Sequence, residues 1–345
     1  MPDLQEIFKG ALENKASDAH LSVGLPPILR IDGILARTDE PALDPKGMET
    51  TVYRALTAEQ RERFEKDKDL DFSYTVGEAR FRVNICYERG NIALVARVIP
   101  SVIPSFADLT LSDSVAELIA SYNGLIIITG PTGSGKSTSL ASMIERVNNE
   151  RPVSVVTLED PIEFLFASKK AKICQRELGG DMHTFADGLK HVLRQDPNVI
   201  MVGEMRDPET IATTLTLAET GHLVFSTLHT PSAAQAVDRI IDSFPPFQQT
   251  QIRSQMALSL KAVISQVLLP RLGGGRIAAR ELLVNTPAIG NLIRENKVAQ
   301  IPNVMTTSGS TGMFTYVQSL RELVSQRLVS KEIAESFLPP DVSND

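Results

Sequence analysis

Apolar and polar side chains alternate in short stretches over the first hundred residues of the chain. Ile28–Ile31 and Arg80–Ile85 show this period of two, which is typical of strands with one buried and one exposed face. The dipeptide Asp32-Gly33 follows the first stretch and favours a tight hairpin turn. Helices are predicted between such strands, notably over Leu4–Glu13 and Ala58–Asp67. The pattern predicts a small α+β domain.

From Asp113 onward the pattern changes, because short apolar, β-branched runs alternate with helical stretches. Continuous apolar runs of this length are typical of strands buried on both faces, as in a parallel α/β sheet. The predicted strands are Leu125–Thr129, Val153–Leu158, Asn198–Val202 and Leu223–Ser226. The predicted helices between them include Ser137–Asn148 and Phe185–Leu193.

The last third of the chain is predicted to be mostly helical. Gln251–Leu269, which follows Pro245-Pro246, is the longest predicted helix. Three consecutive glycines, residues 273–275, predict a flexible hairpin connection.

A linker is predicted where Pro100, Pro104 and Ser105 interrupt both periodicities. The predicted organisation is an N-terminal domain over residues 1–99, a linker over residues 100–112, and a second domain over residues 113–345 with a helical C-terminal part.

Composition and charge exclude several classes of protein. Hydrophobic residues make up 42 % of the 345 residues and charged residues 22 %, which is ordinary globular usage and not that of a disordered or collagen-like chain. The net charge is −7, so the chain is a poor general binder of nucleic acid, whose affinity depends on neutralising phosphates. Two cysteines are too few for a disulfide framework or a four-cysteine zinc site.

Nothing in the sequence resembles a targeting or membrane-spanning segment. The N-terminus lacks the cationic start and apolar run of a signal peptide. The longest apolar run, Leu125–Ile128, is far shorter than the roughly 20 residues that span a bilayer. We therefore expect a cytoplasmic protein without a membrane span, one that reaches a membrane only through a partner.

The strongest motif matches the phosphate-binding pattern G-x-x-x-x-G-K-[ST], after one predicted strand and at the start of a predicted helix. Its glycines let the backbone turn tightly and point N–H groups at phosphates, and the helix N-terminus adds its positive end. Lys136 supplies a point charge, and the Ser137 hydroxyl is placed to ligate Mg²⁺. A nucleoside triphosphate is thus the predicted ligand. The candidate binding residues are Gly130, Pro131, Thr132, Gly133, Ser134, Gly135, Lys136, Ser137 and Thr138.

Two acidic segments follow predicted strands. Gly203-Glu204 ends the strand Asn198–Val202 in the form of a Walker B motif, with Gly203 where many P-loop enzymes place an aspartate. We expect Glu204 at the carboxyl edge of the sheet, orienting or deprotonating the attacking water. Glu159 and Glu163 follow Val153–Leu158, and strand ends near a P-loop face the nucleotide. Their carboxylates either hold Mg²⁺ through water or share the role of base.

Histidines bracket the last predicted strand. His222 precedes Leu223–Ser226, and His229 follows it. The strand end would place Thr227 and His229 at the carboxyl edge, where a γ-phosphate sensor belongs, although the spacing alone favours an ordinary hydrogen-bonded histidine.

Four segments, taken in order, resemble the Walker A, Asp-box, Walker B and His-box motifs of the secretion ATPases of type II secretion systems and type IV pili. They are Gly130–Ser137, Thr157–Glu163, Val202–Asp207 and Gly221–Thr230. Ala16–Ser22 and Gly24–Gly33 resemble the opening of the pilus retraction branch of this family, and Gly77–Asn84 resembles its N-terminal arginine strand.

The resemblance implies a PAS-like N-terminal domain and a RecA-like P-loop ATPase domain, assembled as a ring-shaped homo-hexamer that hydrolyses ATP with Mg²⁺. It implies that Glu204 is the catalytic glutamate and that Glu163 is an acid near the metal, both contacting Mg²⁺ through water beside Ser137. It makes His222 and His229 a functional pair. One N-terminal arginine is expected to close over the nucleotide, and the candidates are Arg80, Arg82 and Arg97.

Within the family, the resemblance favours a motor for type IV pilus retraction that contacts an inner-membrane platform protein at the inner face of the membrane. The chain begins almost directly at the PAS-like domain and has no cysteine after Cys174, whereas extension and secretion ATPases usually carry a further domain and often a zinc loop. Gly290 stands where the retraction branch has an arginine. The alternatives are therefore an extension or secretion ATPase, or an accessory retraction paralogue with altered coupling; a paralogous pilus ATPase is also a candidate partner.

Overall fold

The computed structural model describes residues 3–31, 33–77, 79–99 and 102–337. The chain divides into two compact units, of which the first is Met1–Val102 with Pro161–Leu165 and the second is Ile103–Asp160 with Phe166–Asp345. Asp32 and Pro100, which belong to the predicted turn and linker, lie outside the described residues.

The first unit contains a six-stranded antiparallel sheet in the order β3-β2-β1-β6-β5-β4. Its strands are β1 Asp18–Leu21, β2 Ile28–Ile31, β3 Ile34–Arg37, β4 Asp69–Val76, β5 Ala79–Glu88 and β6 Asn91–Ile99. Its helices are α1 Leu4–Glu13, α2 Pro45–Ala55 and α3 Ala58–Asp67. The predicted α+β character and both predicted helices of this part of the chain are confirmed.

The core of the first unit forms between the helices and one face of the sheet. Phe8 of α1 stacks on Phe81 of β5 at 4.4 Å between ring centroids, and both side chains are fully buried, as is Phe64 of α3. Helix α3 begins at a capping box in which the Thr57 hydroxyl accepts from the Gln60 N–H and the Gln60 side chain accepts from the Thr57 N–H. The alternate residues of the strands face away from this core.

The second unit contains a seven-stranded sheet in the order β13-β12-β7-β11-β10-β8-β9. Every neighbouring pair is parallel except β12 and β13, which are antiparallel. The strands are β7 Gly124–Thr129, β8 Ser154–Glu159, β9 Lys172–Glu177, β10 Val199–Val202, β11 Leu223–Thr227, β12 Leu260–Pro270 and β13 Arg276–Val284. The predicted parallel α/β sheet is confirmed.

Helices cover both faces of this sheet. They are α4 Asp113–Ile119, α5 Lys136–Glu150, α6 Phe185–Val192, α7 Pro208–Glu219, α8 Ala233–Asp242, α9 Pro246–Ser259, α10 Pro287–Arg294, α11 Ile301–Thr307, α12 Tyr316–Ser325 and α13 Lys331–Ser336. Leu125 and Ile127 of β7 belong to one apolar core, whereas Ile126 and Ile128 belong to the core on the other face. Burial on both faces explains why these strands are continuously apolar.

The predicted helix Gln251–Leu269 is wrong in its second half. Helix α9 ends at Ser259, and the chain continues directly as β12, so the C-terminal part of this unit is not purely helical. A strand buried on both faces has no period of two, and a long apolar run of this kind cannot be told from a buried helix by periodicity. The predicted hairpin connection is confirmed, since residues 273–275 join β12 to β13 with φ values of 90°, 104° and 76°.

Membrane spans and disulfide bonds can be examined in the part of the chain that the structure describes. Among residues 3–31, 33–77, 79–99 and 102–337, none of the helices combines the length and the apolar composition that a membrane span requires. Cys86 and Cys174 are both unpaired thiols.

Candidate active site

The phosphate-binding motif forms the turn between β7 and α5. Lys136 is the first residue of α5, and its Nζ donates to the carbonyl oxygens of Gly130 at 2.8 Å and Pro131 at 3.0 Å. Gly130, Gly133 and Gly135 have φ values of 144°, 78° and 84°, a region that side chains disfavour. The ammonium group is therefore held inside the loop, whose residues 131–133 are exposed.

Close packing of the backbone fixes glycine at one position of the loop. A Cβ atom on Gly130 would overlap the backbone carbonyl oxygen of Gln266 in β12. Ser134 is buried, and Ser137 and Thr138 lie half-buried in the first turn of α5. The N–H groups of that turn have no partners within the helix, which makes this end of α5 suited to an anion.

Three neighbouring parallel strands bring Lys136, His229 and Glu204 together at the carboxyl edge of the sheet. His229 Nδ1 lies 3.3 Å from Lys136 Nζ, and His229 Nε2 lies 3.3 Å from Glu204 Oε1. Since an ammonium group can only donate, Nδ1 accepts the bond from Lys136, and the imidazole proton sits on Nε2 facing the carboxylate. The structure thus brings together three of the residues that the sequence analysis proposed for the site.

Glu204 has a second partner on its other carboxylate oxygen. Arg206 Nε and Nη2 both lie 2.8 Å from Glu204 Oε2, and Arg206 Nη1 lies 4.0 Å from an Asp160 carboxylate oxygen. The Glu204 side chain is only 22 % exposed, so His229 and Arg206 restrain it from both sides. Arg206 lies within the segment that carries the Walker B pattern, but no separate sequence pattern pointed to it.

Hydroxyl groups hold the segment that carries His229. Thr227, the last residue of β11, donates to the Gly203 carbonyl oxygen at 2.5 Å. Thr129, the last residue of β7, donates to the Thr230 carbonyl oxygen at 2.8 Å and accepts from the Thr230 N–H at 2.9 Å. These bonds fix His229 relative to the strand before the phosphate loop and to the turn before Glu204.

The two candidate acids at and after the end of β8, Glu159 and Glu163, belong to different units. Glu159 is buried at the end of β8, where its Oε1 accepts from the Thr157 hydroxyl at 2.6 Å and from the Gln175 amide at 3.0 Å. Glu163 is half-buried and belongs to Pro161–Leu165, which groups with the first unit. Its predicted role near the metal stays a prediction.

His222 lies at the opposite edge of the sheet from His229 within this chain. It precedes β11, and its Nδ1 lies 3.1 Å from the Leu217 carbonyl oxygen at the end of α7. A strand of five residues separates the two histidines, which corresponds to roughly 16 Å at about 3.3 Å per residue. The structure does not bring His222 to the candidate site of its own chain, and its pairing with His229 stays a prediction.

The three candidate arginines share the polar face of the first unit's sheet. Arg82 lies directly opposite Arg97 on β5 and β6, and Arg80 is two residues from Arg82 on the same face. Arg97 Nε donates to Asp18 Oδ1 at 2.8 Å. Burial would raise the pKa of the Asp18 carboxyl, but the hydrogen bond from Arg97 and the charges of Arg97 and Arg30 bring that pKa below its ordinary value. Arg82 is exposed and makes no hydrogen bond or ion pair with the described residues.

Gln266 and Arg280 are contact residues that the sequence did not indicate. Gln266 Nε2 donates to the Ser134 carbonyl oxygen of the phosphate loop at 2.7 Å, and Arg280 Nε lies 3.3 Å from Gln266 Oε1. Both lie on the β12–β13 hairpin, half of which was predicted to be helical, so no sequence signal pointed to them.

The chain is similar to known proteins over nearly its whole length. Residues 1–276 match the family model described as "Type II/IV secretion system protein". The type IV pilus retraction ATPase PilT of Pseudomonas aeruginosa is 46 % identical over 333 residues, which covers 96 % of this chain and 97 % of that protein. The type IV pilus ATPase PilU of the same organism is 35 % identical over 345 residues, covering 99 % and 90 %. A crystal structure of the pilus retraction motor PilT with bound ADP superposes with a TM-score of 0.91 at 46 % identity, covering 99 % of this chain and 98 % of that one.

Proposed function

The chain belongs to the type II/IV secretion system protein family, and from that premise we propose that it is a motor that hydrolyses ATP to power retraction of type IV pili. The observation that carries the hydrolytic part is the meeting of Lys136, His229 and Glu204 at one sheet edge. The retraction part is supported by the near full-length similarity to a pilus retraction ATPase.

The phosphate loop suits the triphosphate of ATP. Its exposed backbone, its buried ammonium group and the N-terminal turn of α5 offer donors to the β- and γ-phosphates. The Ser137 hydroxyl lies in that turn and supplies the oxygen ligand that Mg²⁺ prefers, while Glu204 and Glu163 contact the ion through water in our proposal. Mg²⁺ would neutralise charge on the transferred phosphoryl group.

Glu204 is the residue that we propose to act on water. Its carboxylate accepts a proton from a water molecule as the water oxygen attacks the γ-phosphorus, and the bond from phosphorus to the bridging oxygen breaks to release ADP and phosphate. His229 links Glu204 to Lys136, so a γ-phosphate that draws Lys136 toward itself changes the partners of the base. Glu159, which accepts hydrogen bonds from Thr157 and Gln175, supports the same edge of the sheet.

Arg82 is the N-terminal arginine that we propose to contact the nucleotide in the assembled protein. Asp18 neutralises the charge of Arg97, whereas Arg82 is exposed and has no partner among the described residues. An arginine that reaches the transferred phosphoryl group contributes a factor of about 10³–10⁵ to the rate.

The assignment is tested by comparing Arg82→Ala with Arg97→Ala. We expect Arg82→Ala to lower the turnover of ATP by at least about 100-fold, and Arg97→Ala to lower it less. Equal turnover in Arg82→Ala and the unaltered protein would contradict the assignment.

We further propose the finer architecture and the assembly that the resemblance implies. Residues 1–99 form a PAS-like domain, residues 100–112 a linker and residues 113–345 a RecA-like domain, and six copies form a ring. The ring works in the cytoplasm at the inner face of the membrane, bound to a membrane platform protein and aided by a paralogous pilus ATPase. The similarity to PilU as well as to PilT supports the existence of such paired motors.

The catalytic proposal is tested by Glu204→Gln, with Glu117→Gln as the control because Glu117 is an exposed residue of α4. We expect Glu204→Gln to bind ATP but to lose at least about 100-fold in turnover, while the control keeps the activity of the unaltered protein. Unchanged turnover in Glu204→Gln would remove Glu204 from the role of base.

The direction of the motor is tested in cells by deleting the gene. Excess surface pili with lost twitching, restored by the intact gene and not by the Glu204→Gln gene, would support retraction. Cells without pili would overturn it in favour of an extension or secretion ATPase.

An accessory retraction paralogue is the second candidate, and Gly290 of α10 favours it. This residue is buried, and a Cβ there would lie 3.4 Å from the Ala257 carbonyl oxygen of α9. Because residue 290 is a glycine, α10 presents no arginine where the retraction branch carries one. A deletion strain that still retracts its pili, but with reduced force, would support this role over that of the principal motor.

A further inference from the structure

A buried glutamine anchors the phosphate loop from the neighbouring strand. Gln266 is 1 % exposed. Its Nε2 donates to the Ser134 carbonyl oxygen at 2.7 Å, and its Oε1 accepts from the Ser139 hydroxyl of α5 at 2.9 Å. One carboxamide thus holds both the loop and the first turn of the helix that follows it. The bond to the Ser134 carbonyl oxygen requires this orientation of the amide, because only its nitrogen can donate to a carbonyl oxygen.

Arg280 fixes that orientation from the next strand. It lies directly opposite Gln266 in the β12–β13 register, it is 5 % exposed, and its Nε lies 3.3 Å from Gln266 Oε1. A flipped amide would set its NH₂ group against the guanidinium. Within the described residues Arg280 forms no ion pair, although a buried charge without a carboxylate partner is costly. Its remaining side-chain partners are two backbone carbonyl groups and, at 3.5 Å, the Thr110 hydroxyl.

Those carbonyl groups belong to a segment near the start of the second unit, which begins at Ile103. Arg280 Nη1 donates to the Leu109 carbonyl oxygen at 2.8 Å and lies 3.4 Å from that of Thr110. Thr110 has a φ of 52°, a left-handed conformation that is rare for a β-branched residue. Backbone strain of this kind persists only where the surroundings enforce it. Arg280 supplies that restraint.

We propose that Gln266 and Arg280 are positioning residues that hold the phosphate loop and couple it to the strained segment Leu109–Thr110. The contacts run without a gap from Ser134 through Gln266 and Arg280 to Leu109. A nucleotide that shifts the loop therefore also shifts the equilibrium position of this segment. By linkage, a change that favours one position of the segment also changes the affinity for the nucleotide. The coupling rests on the proposed motor function and deepens it, because it gives the bound nucleotide a route to a segment near the start of the second unit, which begins at Ile103.

The first test separates positioning from folding with Gln266→Glu. The carboxylate keeps the shape of the side chain and gains an ion pair with Arg280, but it can no longer donate to the Ser134 carbonyl oxygen. We expect unchanged or higher thermal stability together with an approximately tenfold weaker Kd for ADP in the presence of Mg²⁺, measured by calorimetry; tenfold corresponds to about 1.4 kcal/mol. A Kd within twofold of that of the unaltered protein would overturn the role of Gln266.

The second test addresses the coupling with Arg280→Met, using Arg271→Met as the matched control because Arg271 is exposed on the same hairpin. In the unaltered protein and in the control, we expect ADP to change hydrogen–deuterium exchange at residues 107–111 as well as in the phosphate loop. In Arg280→Met, ADP is expected to alter exchange in the loop only. Two results would overturn the coupling. One is that ADP leaves the exchange at residues 107–111 unchanged in the unaltered protein, and the other is that ADP still changes it in Arg280→Met. Neither readout depends on pilus retraction, so the two proposals fail separately.

Discussion

Replacing Glu281 by glutamine is expected to remove a large part of the protein's pH-dependent change in stability near neutrality. Glu281 lies on β13 opposite Ser265 of β12. Its Oε1 accepts from the N–H of Ala233, the first residue of α8, at 2.5 Å. Burial raises the pKa of Glu281 to about 7, although the hydrogen bond from Ala233 acts in the opposite direction. The facing phenol is Tyr316, whose hydroxyl lies 2.6 Å from the Ser265 hydroxyl and whose own pKa is raised by burial.

The size and sign of the effect follow from the two pKa values. An ordinary glutamate has a pKa of 4.5, against about 7 for Glu281 in the folded protein, so the folded state binds this proton more tightly than the unfolded state does. The resulting stability is fully present below pH 4.5 and is lost as the pH rises through about 7. Between pH 5 and pH 8 the loss is about 2.5 kcal/mol. Glutamine cannot ionise and still offers an oxygen to the Ala233 N–H.

The measurement is the free energy of unfolding in urea at pH 5, 6, 7 and 8 for the unaltered protein, Glu281→Gln and the exposed control Glu117→Gln. The stability of Glu281→Gln relative to the unaltered protein is expected to rise by about 2.5 kcal/mol from pH 5 to pH 8. The control is expected to follow the unaltered protein. A rise of less than about 1 kcal/mol would show that Glu281 ionises as an ordinary glutamate, and the reasoning from its burial would be refuted.

Three further substitutions test other parts of the structure. Gly130→Ala would drive its Cβ into the Gln266 carbonyl oxygen, so we expect at least about tenfold weaker nucleotide binding in a fluorescence titration, and normal binding would contradict the packing. Phe225→Ala empties a fully buried position of β11 and should lower the free energy of unfolding by about 3–5 kcal/mol; a loss below about 1 kcal/mol would be inconsistent with that burial. Asp18→Asn should have a lower free energy of unfolding than the unaltered protein at pH 7 and an equal one in acid, because the stability from a carboxyl with a lowered pKa is lost as the pH falls. If urea unfolding gave the same difference at every pH, this expectation would be contradicted.

Strand β12 shows what the sequence could not reveal about the fold. Val263 packs into one core of the second unit, whereas Ala262 and Ile264 pack into the core on the other face. Such a strand is apolar at consecutive positions, and with 11 residues it reaches the length of a typical helix. The shorter parallel strands were predictable because turns and loops bounded them closely. The pairing of β12 with β7, which is distant in sequence, and with β13 distinguishes it from a continuation of α9.

The same distinction separates the predictable site residues from the others. Glu204 and His229 each follow an apolar strand, and the carboxyl ends of parallel strands meet at one edge, so a local pattern was enough to bring them to the phosphate loop. That rule also places His222, which precedes its strand, at the other edge; only the family resemblance made it a candidate. Gln266 and Arg280 depend on the antiparallel register of two strands, which no local pattern specifies.

The β12–β13 hairpin supports both sides of the candidate site, because consecutive residues of a strand point to opposite faces. Gln266 bonds to the phosphate loop, while its neighbour Ser265 donates to the Pro231 carbonyl oxygen in the segment after His229 at 3.1 Å. Glu281, paired with Ser265 across the hairpin, holds the start of α8 just beyond. A slip of the register by one residue would exchange these two faces. The separation between Lys136 and His229 therefore depends on a strand pair that contributes no side chain to the proposed chemistry.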